Sequence, residues 1–471
     1  MNKSNGIFKV LQRKMQRSVL CQAPFSNMLI DQQGNVRICC HQSNDFSIGK
    51  YPESTLHDIW FGPVRKKMCD EMISGKIPEE CMACLKNGIH HQSPDSKIAR
   101  GSAGKKSGFN SWPYQIEFLL DNRCNLSCIM CASNKSREIR DGYTRPPVEF
   151  GEDFLSQVRP FLKHAGFLVF SGGEPFLIPY YRRLWEYISE ENPTAVIYVQ
   201  TNGTVLNDDV RQLLIRHRMQ LGISVDSLKD ETYESIRRNA SLKQLMDNLP
   251  VFIEHSRKLV NEMTLMMTPQ QLNAAEVPDV LNYCNENALR FSLSILNWPY
   301  TAAIWALPAK TIKMLLDGYK SIPLPVNPSA TVLRNHEIFH HFVRLTEQYY
   351  QEKEASELHS KERRDHIMRQ AEEIRSKLPA EIAEIGQDPS CLNEDLSGFE
   401  SDINALHEYL KPLVQNRNEP EIIIYLLFNN RSMRALFRLS KEISREQLFR
   451  RAGERMEEIL FLLDHHLYHR I

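Results

Sequence analysis

Three cysteines stand together in Cys124-Asn-Leu-Ser-Cys128-Ile-Met-Cys131, a C-x3-C-x2-C triplet. Thiolates are the ligands of iron–sulfur clusters, and three in one short loop can hold three corners of a cluster. Three ligands in place of four leave one iron open. An open coordination position marks a reactive centre, as it does at a catalytic zinc. The bland alternatives are a zinc knuckle or core cysteines, but zinc sites usually show paired C-x2-C arms. A second set lies upstream: Cys21, Cys39, Cys40, Cys69, Cys81 and Cys84. Cys81 and Cys84 form a C-x2-C arm. Cys39 and Cys40 follow a stretch, 30–38, that reads as a hairpin with a Gln-Gly turn. Four thiolates from three segments can close a sealed site, and spacing alone does not separate zinc from iron–sulfur. Cys69 falls in a helical pattern over 64–73 and reads as core.

A motif of another class lies downstream. His336-Glu337-Ile338-Phe339-His340 fits H-E-x-x-H, which on a helix sets two imidazoles at i and i+4 and is the zinc-peptidase pattern. Arg334 puts a charge where such helices usually carry none, and no third-ligand motif follows. The favoured reading is an amphipathic helix with Ile338, Phe339 and Phe342 toward the core. His90, His91, His465, His466 and His469 read as surface groups. The lone Cys284 and Cys391 read as buried packing.

The chain has 471 residues with 58 Lys+Arg and 58 Asp+Glu, so the formal net charge is zero. That argues against a protein whose main work is holding nucleic acid, which needs clustered surplus cations. Hydrophobic residues at 42% suffice for a core. No apolar run approaches the ~18 residues of a membrane span, and the basic start of the chain lacks the apolar core of a secretory signal. The 11 cysteines are odd in number, and nine precede residue 132, which favours metal over disulfides and a cytoplasmic location. Three regions are expected: 1–100, cysteine-rich; 111–300, after a Gly/Ser/Lys linker at 99–111; and 301–471, mainly helical. The middle region shows short apolar runs at 115–120, 167–170, 195–200, 222–225, 263–267 and 291–296. Helical patterns at 154–163, 180–189, 208–216, 242–256 and 277–285 lie between them. This alternation predicts an α/β fold with a parallel sheet, and six strands suit a partial (β/α)6 TIM-like barrel. In the last region, 347–377, 401–413 and 446–466 read as helices, and 422–428 as a buried strand or helix core.

Every polar motif then falls at a strand's carboxyl end, the face where parallel α/β folds place their sites. The cysteine triplet follows the first strand, Gly172-Gly173-Glu174-Pro175 the second and Thr201-Asn202-Gly203 the third. Ser224-Val225-Asp226 ends the fourth, and Asn273 lies beyond the fifth. The triplet with GGEP after the next strand resembles the radical S-adenosylmethionine (SAM) superfamily over about 112–299. The resemblance implies a SAM-binding [4Fe–4S] cluster on Cys124, Cys128 and Cys131, with SAM chelating the open iron. It implies reductive cleavage of SAM to a 5′-deoxyadenosyl radical that abstracts hydrogen from a substrate. Gly172, Gly173 and Glu174 would receive the SAM amino group, with the glycines allowing close approach, and Pro175 of the same motif counts as cofactor-binding. Ser224 would face the ribose, with Asp226 beside it. Arg237 would pair with the SAM carboxylate, with Arg238 as its off-by-one alternative. Thr201, Asn202 and Asn273 would be pocket polars. No residue is assigned as catalytic.

The upstream pattern, Cys-x2-Pro-Phe through Leu-x2-Ile-Trp to Cys-x2-Cys, is similar to a SPASM or Twitch auxiliary-cluster domain. That likeness implies a second [4Fe–4S] cluster on Cys21, Cys39, Cys81 and Cys84, with Cys40 the alternative to Cys39 and a zinc ribbon the alternative to the cluster. Here the segment precedes the barrel, where in most such enzymes it follows. Enzymes of this kind often modify peptides or proteins by crosslinking, epimerisation or oxidation. A peptide is therefore the first expectation for substrate, a small metabolite such as a sugar or amino-acid derivative the second, and a non-catalytic scaffold the third. A flavodoxin or ferredoxin is the expected electron donor, and no nucleic-acid or membrane partner is expected.

Overall fold

A computed structural model describes residues 21–40, 46–81, 109–131, 148–259, 261, 263–296, 299–359, parts of 362–380, 397–414 and 444–465. These residues fall into two compact units, Met1–Ile295 with Ile322–Phe342, and Leu296–Ser321 with Val343–Ile471.

The first unit is built on one nine-stranded sheet in the order β3-β2-β1-β4-β5-β6-β7-β8-β9. Its strands are β1 (Asn27–Asp31), β2 (Asn35–Arg37), β3 (Gly49–Lys50), β4 (Gln115–Leu119), β5 (Phe167–Phe170), β6 (Val196–Thr201), β7 (Gln220–Ser224), β8 (Thr264–Met267) and β9 (Arg290–Leu293). From β4 to β9 every neighbour pair is parallel and sequential. Helices Glu152–His164, Pro179–Glu191, Asp208–His217, Leu242–Lys258 and Val277–Glu286 occupy the expected crossovers. β5 is buried along its whole length, as a strand covered on both faces must be.

Two features depart from the expected pattern. The short helix Asp230–Ile236 offers only Tyr233 and Ile236 as buried residues, too few to stand out as a period. The upstream hairpin is also not a separate sheet. β1 pairs parallel with β4, Met28 opposite Ile116 and Ile30 opposite Phe118, so the cysteine-rich segment extends the same sheet. Its turn is tight: Gly34 has φ +80°, and a Cβ there would meet Tyr51 O at 2.0 Å. Asp31 Oδ1 accepts from the backbone of Gln33 and Asn35, both at 3.0 Å, and locks the turn.

The second unit is helical, with Ala309–Lys320, Ser397–Val414 and Arg445–Asp464 in full. Ala303, Trp305, Ala306, Ile312, Tyr349 and Leu462 form its core. No described helix is long and apolar enough to cross a membrane. The expectations at 82–108, 422–428, Cys84, His90, His91, Cys391, His466 and His469 lie outside the described residues.

Candidate functional site

β4 and β5 end side by side, and one tyrosine fixes their ends. The buried Tyr181 hydroxyl lies 2.9 Å from Phe118 O and 2.7 Å from Ser171 O, and accepts from Leu120 N at 3.0 Å. The cysteine loop leaves β4 and the Gly172-Gly173 turn leaves β5. The two loops then bond to each other, Gly173 N to Asp121 O at 2.9 Å and Glu174 N to Arg123 O at 2.6 Å. A Cβ on Gly172 would meet Asp121 O at 2.5 Å, and on Gly173 Arg123 O at 2.0 Å. The glycines were expected to admit a ligand; the close approach they permit is that of the cysteine loop.

The far side of that loop is held by the helix the periodicity missed. Ser127 N donates to Arg238 O at 3.0 Å and Ile129 N to Ile236 O at 2.9 Å. Asn125 and Asn202 complete the frame. Asn202 Nδ2 donates to Asn125 Oδ1 at 2.9 Å and approaches Cys124 Sγ at 3.8 Å, while Asn125 Nδ2 donates to Thr204 Oγ1 at 2.9 Å.

The result is a cavity of about 260 Å³ lined by Cys124, Cys128 and Cys131, by Gly172, Gly173 and Glu174, and by Thr201, Asn202, Ser224 and Arg237. Sequence reasoning missed Ser171, Gln200, Met266, Thr268 and Ser294, which also line it. Strand alternation could have found part of this set, since Gln200 breaks an otherwise apolar run near the end of β6.

Three expected residues serve the site from behind. The buried Glu174 carboxylate accepts from Thr201 Oγ1 at 2.7 Å and from Asn202 N at 2.9 Å. Burial pushes its carboxyl up to about 7, against the pull of those donors and of Arg237. Asp226 is fully buried behind the cavity wall and pairs with Arg237 Nη2 at 2.7 Å. Asn273 is fully buried too, donating to Asp226 O at 2.7 Å and accepting from Gln270 N at 2.7 Å. Pro175 opens the turn Pro175–Leu177, in which it and Phe176 are buried. Arg237 faces the cavity, whereas Arg238 is exposed. Burial would discharge Arg237, but the Asp226 carboxylate holds it above its ordinary value. Its Nη1 lies 3.8 Å from Cys128 Sγ. Burial pushes the Cys128 thiol up to about 11, opposed by Arg237.

These residues fit a cluster. The three thiols share one cavity wall, and Cys128 and Cys124 each meet a donor that a thiolate ligand would accept. Among the described residues no three His, Cys, Asp or Glu side chains gather as a single metal ion would need. A four-iron cluster makes no such demand, because each thiolate takes its own iron.

The upstream cysteines also come together. Cys21 and Cys69 are buried in one apolar cluster with Ala23, Phe25 and Met72, and Cys39, Cys81 and Phe109 pack against it. Cys40 is exposed. Cys69 is core as expected, its Sγ 3.4 Å from Pro24 O. The H-E-x-x-H motif is not assembled. His336 is buried with Nε2 3.3 Å from Asn285 Nδ2, while Glu337 and His340 are exposed.

Comparison with known proteins agrees with this geometry. Residues 120–284 match the radical SAM superfamily, and residues 21–85 match SPASM, an iron–sulfur cluster-binding domain. The chain carries a radical SAM domain. It carries a SPASM domain before it, so the radical SAM segment implies a SAM-binding [4Fe–4S] cluster and the SPASM segment an auxiliary one. Among curated proteins it is similar to GTP 3′,8-cyclase of Clostridium botulinum, 26% identical over 163 residues, which is 34% of this chain and 49% of that protein. It is also similar to a probable GTP 3′,8-cyclase of Methanocaldococcus jannaschii, 25% identical over 171 residues, 36% of this chain and 55% of that one. The chain thus spans about half the length of the curated relatives it matches. Among solved structures, SuiB of Streptococcus suis with S-adenosylmethionine aligns at 14% identity and a TM-score of 0.34, over 45% of this chain and 47% of that one.

Proposed function

We propose that this chain is a radical SAM enzyme that abstracts hydrogen from a peptide or protein side chain. The observation that carries the reading is one cavity wall shared by Cys124, Cys128, Cys131, the Gly172–Glu174 turn, Ser224 and Arg237. When bound, the cluster would supply the electron that splits SAM into methionine and a 5′-deoxyadenosyl radical. The chain's own residues bind and orient. Cys124, Cys128 and Cys131 would hold three irons. The backbone carbonyls of the Gly172–Glu174 turn would take the SAM amino group. Arg237 would pair with the SAM carboxylate, with the Asp226 carboxylate 2.7 Å behind it keeping the guanidinium charged. Ser224 would meet the ribose. Glu174 keeps Thr201 and Asn202 in place, and Asn202 keeps the Cys124 loop in place.

The six parallel strands of this site read as a partial barrel, with the second unit serving substrate recognition, capping or assembly. The SPASM segment supports the peptide assignment and would hold the auxiliary cluster on Cys21, Cys39, Cys81 and Cys84. Cys39 is partly buried against the cluster that contains Cys21, whereas Cys40 is exposed, which favours Cys39 as ligand. A small-metabolite substrate is the second reading. It is favoured by relatives named as GTP cyclases, whose likeness covers 34% of this chain.

The test is anaerobic turnover of the reconstituted, reduced protein. 5′-Deoxyadenosine should form from SAM, and deuterium from a labelled peptide should appear in it. Absence of 5′-deoxyadenosine from fully loaded protein, with or without candidate substrates, would sink the enzyme reading. Deuterium transfer from a nucleotide or sugar but from no peptide would replace the peptide reading with the metabolite one.

A further inference from the structure

The auxiliary cysteines lie beside a buried positive charge. Arg65, on helix Pro63–Ile73, is 0% exposed. Its Nε donates to Pro24 O at 2.8 Å, and its Nη1 to Trp60 O at 2.7 Å and Phe109 O at 3.0 Å. Its guanidinium carbon sits 3.6 Å from the centre of the Trp60 ring. Among the described residues no carboxylate pairs with it, and Nη2 has no hydrogen-bond partner. Three carbonyl dipoles and a ring face satisfy donors but do not neutralise a charge. A buried ion without a counter-ion is among the costlier things a fold can carry.

The neighbourhood shows where the counter-charge belongs. Pro24 O, which takes Arg65 Nε, also takes Cys69 Sγ at 3.4 Å. The residue before Pro24 donates its backbone N–H to Cys21 Sγ at 3.3 Å. Phe109 lies under the guanidinium at 5.2 Å and packs against the same cluster as Cys39 and Cys81. Arg65 thus reaches Cys21 through Pro24 and Ala23, and through Phe109 it borders the apolar cluster on which Cys39 and Cys81 also pack. Four thiolates around a four-iron cluster make a net negative site, and reduction makes it more negative. Net charge and hydrogen bonding at the sulfurs are what set such potentials.

We propose that Arg65 is the buried counter-charge of the auxiliary cluster, holding its reduction potential up and so favouring its reduced form. The proposal rests on the reading of 21–85 as an iron–sulfur domain. Arg65 acts through the cluster's surroundings and is a positioning residue. A purely structural role, tying three carbonyls together, would cost stability without a charge-dependent change in potential.

The experiment uses the full chain with Cys124, Cys128 and Cys131 changed to Ala, so that only the auxiliary cluster contributes. That protein must first hold about four irons after anaerobic reconstitution. An iron-free protein at this step overturns the cluster reading itself, and the proposal with it. The midpoint potential is then read by redox titration with EPR detection for Arg65→Lys and Arg65→Gln. Charge removal in the Gln variant should lower the reduced-to-oxidised ratio at a fixed poise by about tenfold, roughly 59 mV for one electron. The Lys variant, which keeps the charge with fewer hydrogen bonds, should stay near the parent. A Gln variant with a full cluster and an unmoved potential overturns the proposal, as does a Lys variant that falls as far as Gln. Where Gln fails to fold, Arg65→Met keeps the stem on Trp60 and replaces it. Where neither neutral variant takes up iron, the Lys variant must load normally, and an iron-free Lys variant overturns the proposal.

Discussion

Replacing Asp226 by Asn should destabilise the iron-free protein more than the loaded one. Asp226 is fully buried, and its Oδ2 lies 2.7 Å from Arg237 Nη2. The Asn side chain can still accept from Thr268 N, which Asp226 Oδ1 holds at 2.7 Å, so the change removes mainly the charge. Removing one partner of a buried pair costs about 3–5 kcal/mol, because the other charge is left uncompensated. Cys128 Sγ lies 3.8 Å from Arg237 Nη1, and in the loaded protein that sulfur would be a thiolate. At an effective dielectric of ~20 a full charge at that distance interacts by about 4 kcal/mol before desolvation. The cluster spreads its charge, so part of that figure survives, and the loss should shrink to about 1–2 kcal/mol. At about 2 °C per kcal/mol, Asp226→Asn should lower Tm by about 6–10 °C without iron and about 2–4 °C with it. Circular dichroism melts of both forms, under argon, measure the difference. A loss as large with iron as without it, or a loss within about 1 °C in both forms, would refute the placement of Arg237 between carboxylate and thiolate.

Other consequences follow from the same geometry. Gly173→Ala should abolish iron at the triplet while leaving auxiliary iron in place, because the new Cβ would stand 2.0 Å from Arg123 O and the loop to Cys124 must move; iron and sulfide analysis reads this. Glu174 has its carboxyl raised from 4.5 to about 7, so its protonated form favours the fold. That contribution is full below about 4.5 and lost as pH rises through about 7, an effect of about 3 kcal/mol. In the iron-free protein, wild type should therefore lose about that much stability relative to Glu174→Gln between about pH 5 and 8, and parallel urea curves would contradict it. Cys69→Ala and Cys40→Ser should keep the auxiliary iron, while Cys39→Ala should lose it; the opposite outcome for Cys40 would exchange the two neighbours as ligand.

Much of the frame was legible because its signals are local. The apolar runs at β5, β6 and β8 are short and bounded by turn residues, and the crossover helices carry apolar stripes. The order of motifs along the chain then put the cysteine triplet, Gly172-Gly173 and Asn202 at one end of the sheet. What was not legible is long-range. Pairing of β1 with β4 depends on a register between segments far apart in sequence, which no local period encodes. The helix Asp230–Ile236 buries two side chains, yet it anchors the cysteine loop through Ile236 O and Arg238 O. Asp226 read as a neighbour of the ribose and Asn273 as a pocket polar because both are polar and near strand ends. Only the structure shows them spent on Arg237 and on the backbone. The double glycine was legible as a close approach, but not as an approach by the chain itself.

The most direct test of the account is iron and acid-labile sulfide after anaerobic reconstitution, in wild type and in the Cys124/Cys128/Cys131→Ala variant. Two four-iron clusters predict about eight irons falling to about four. About four falling to none, with zinc retained, would make the 21–85 segment a zinc site. No iron in wild type, or a count the triple substitution leaves unchanged, would contradict the account.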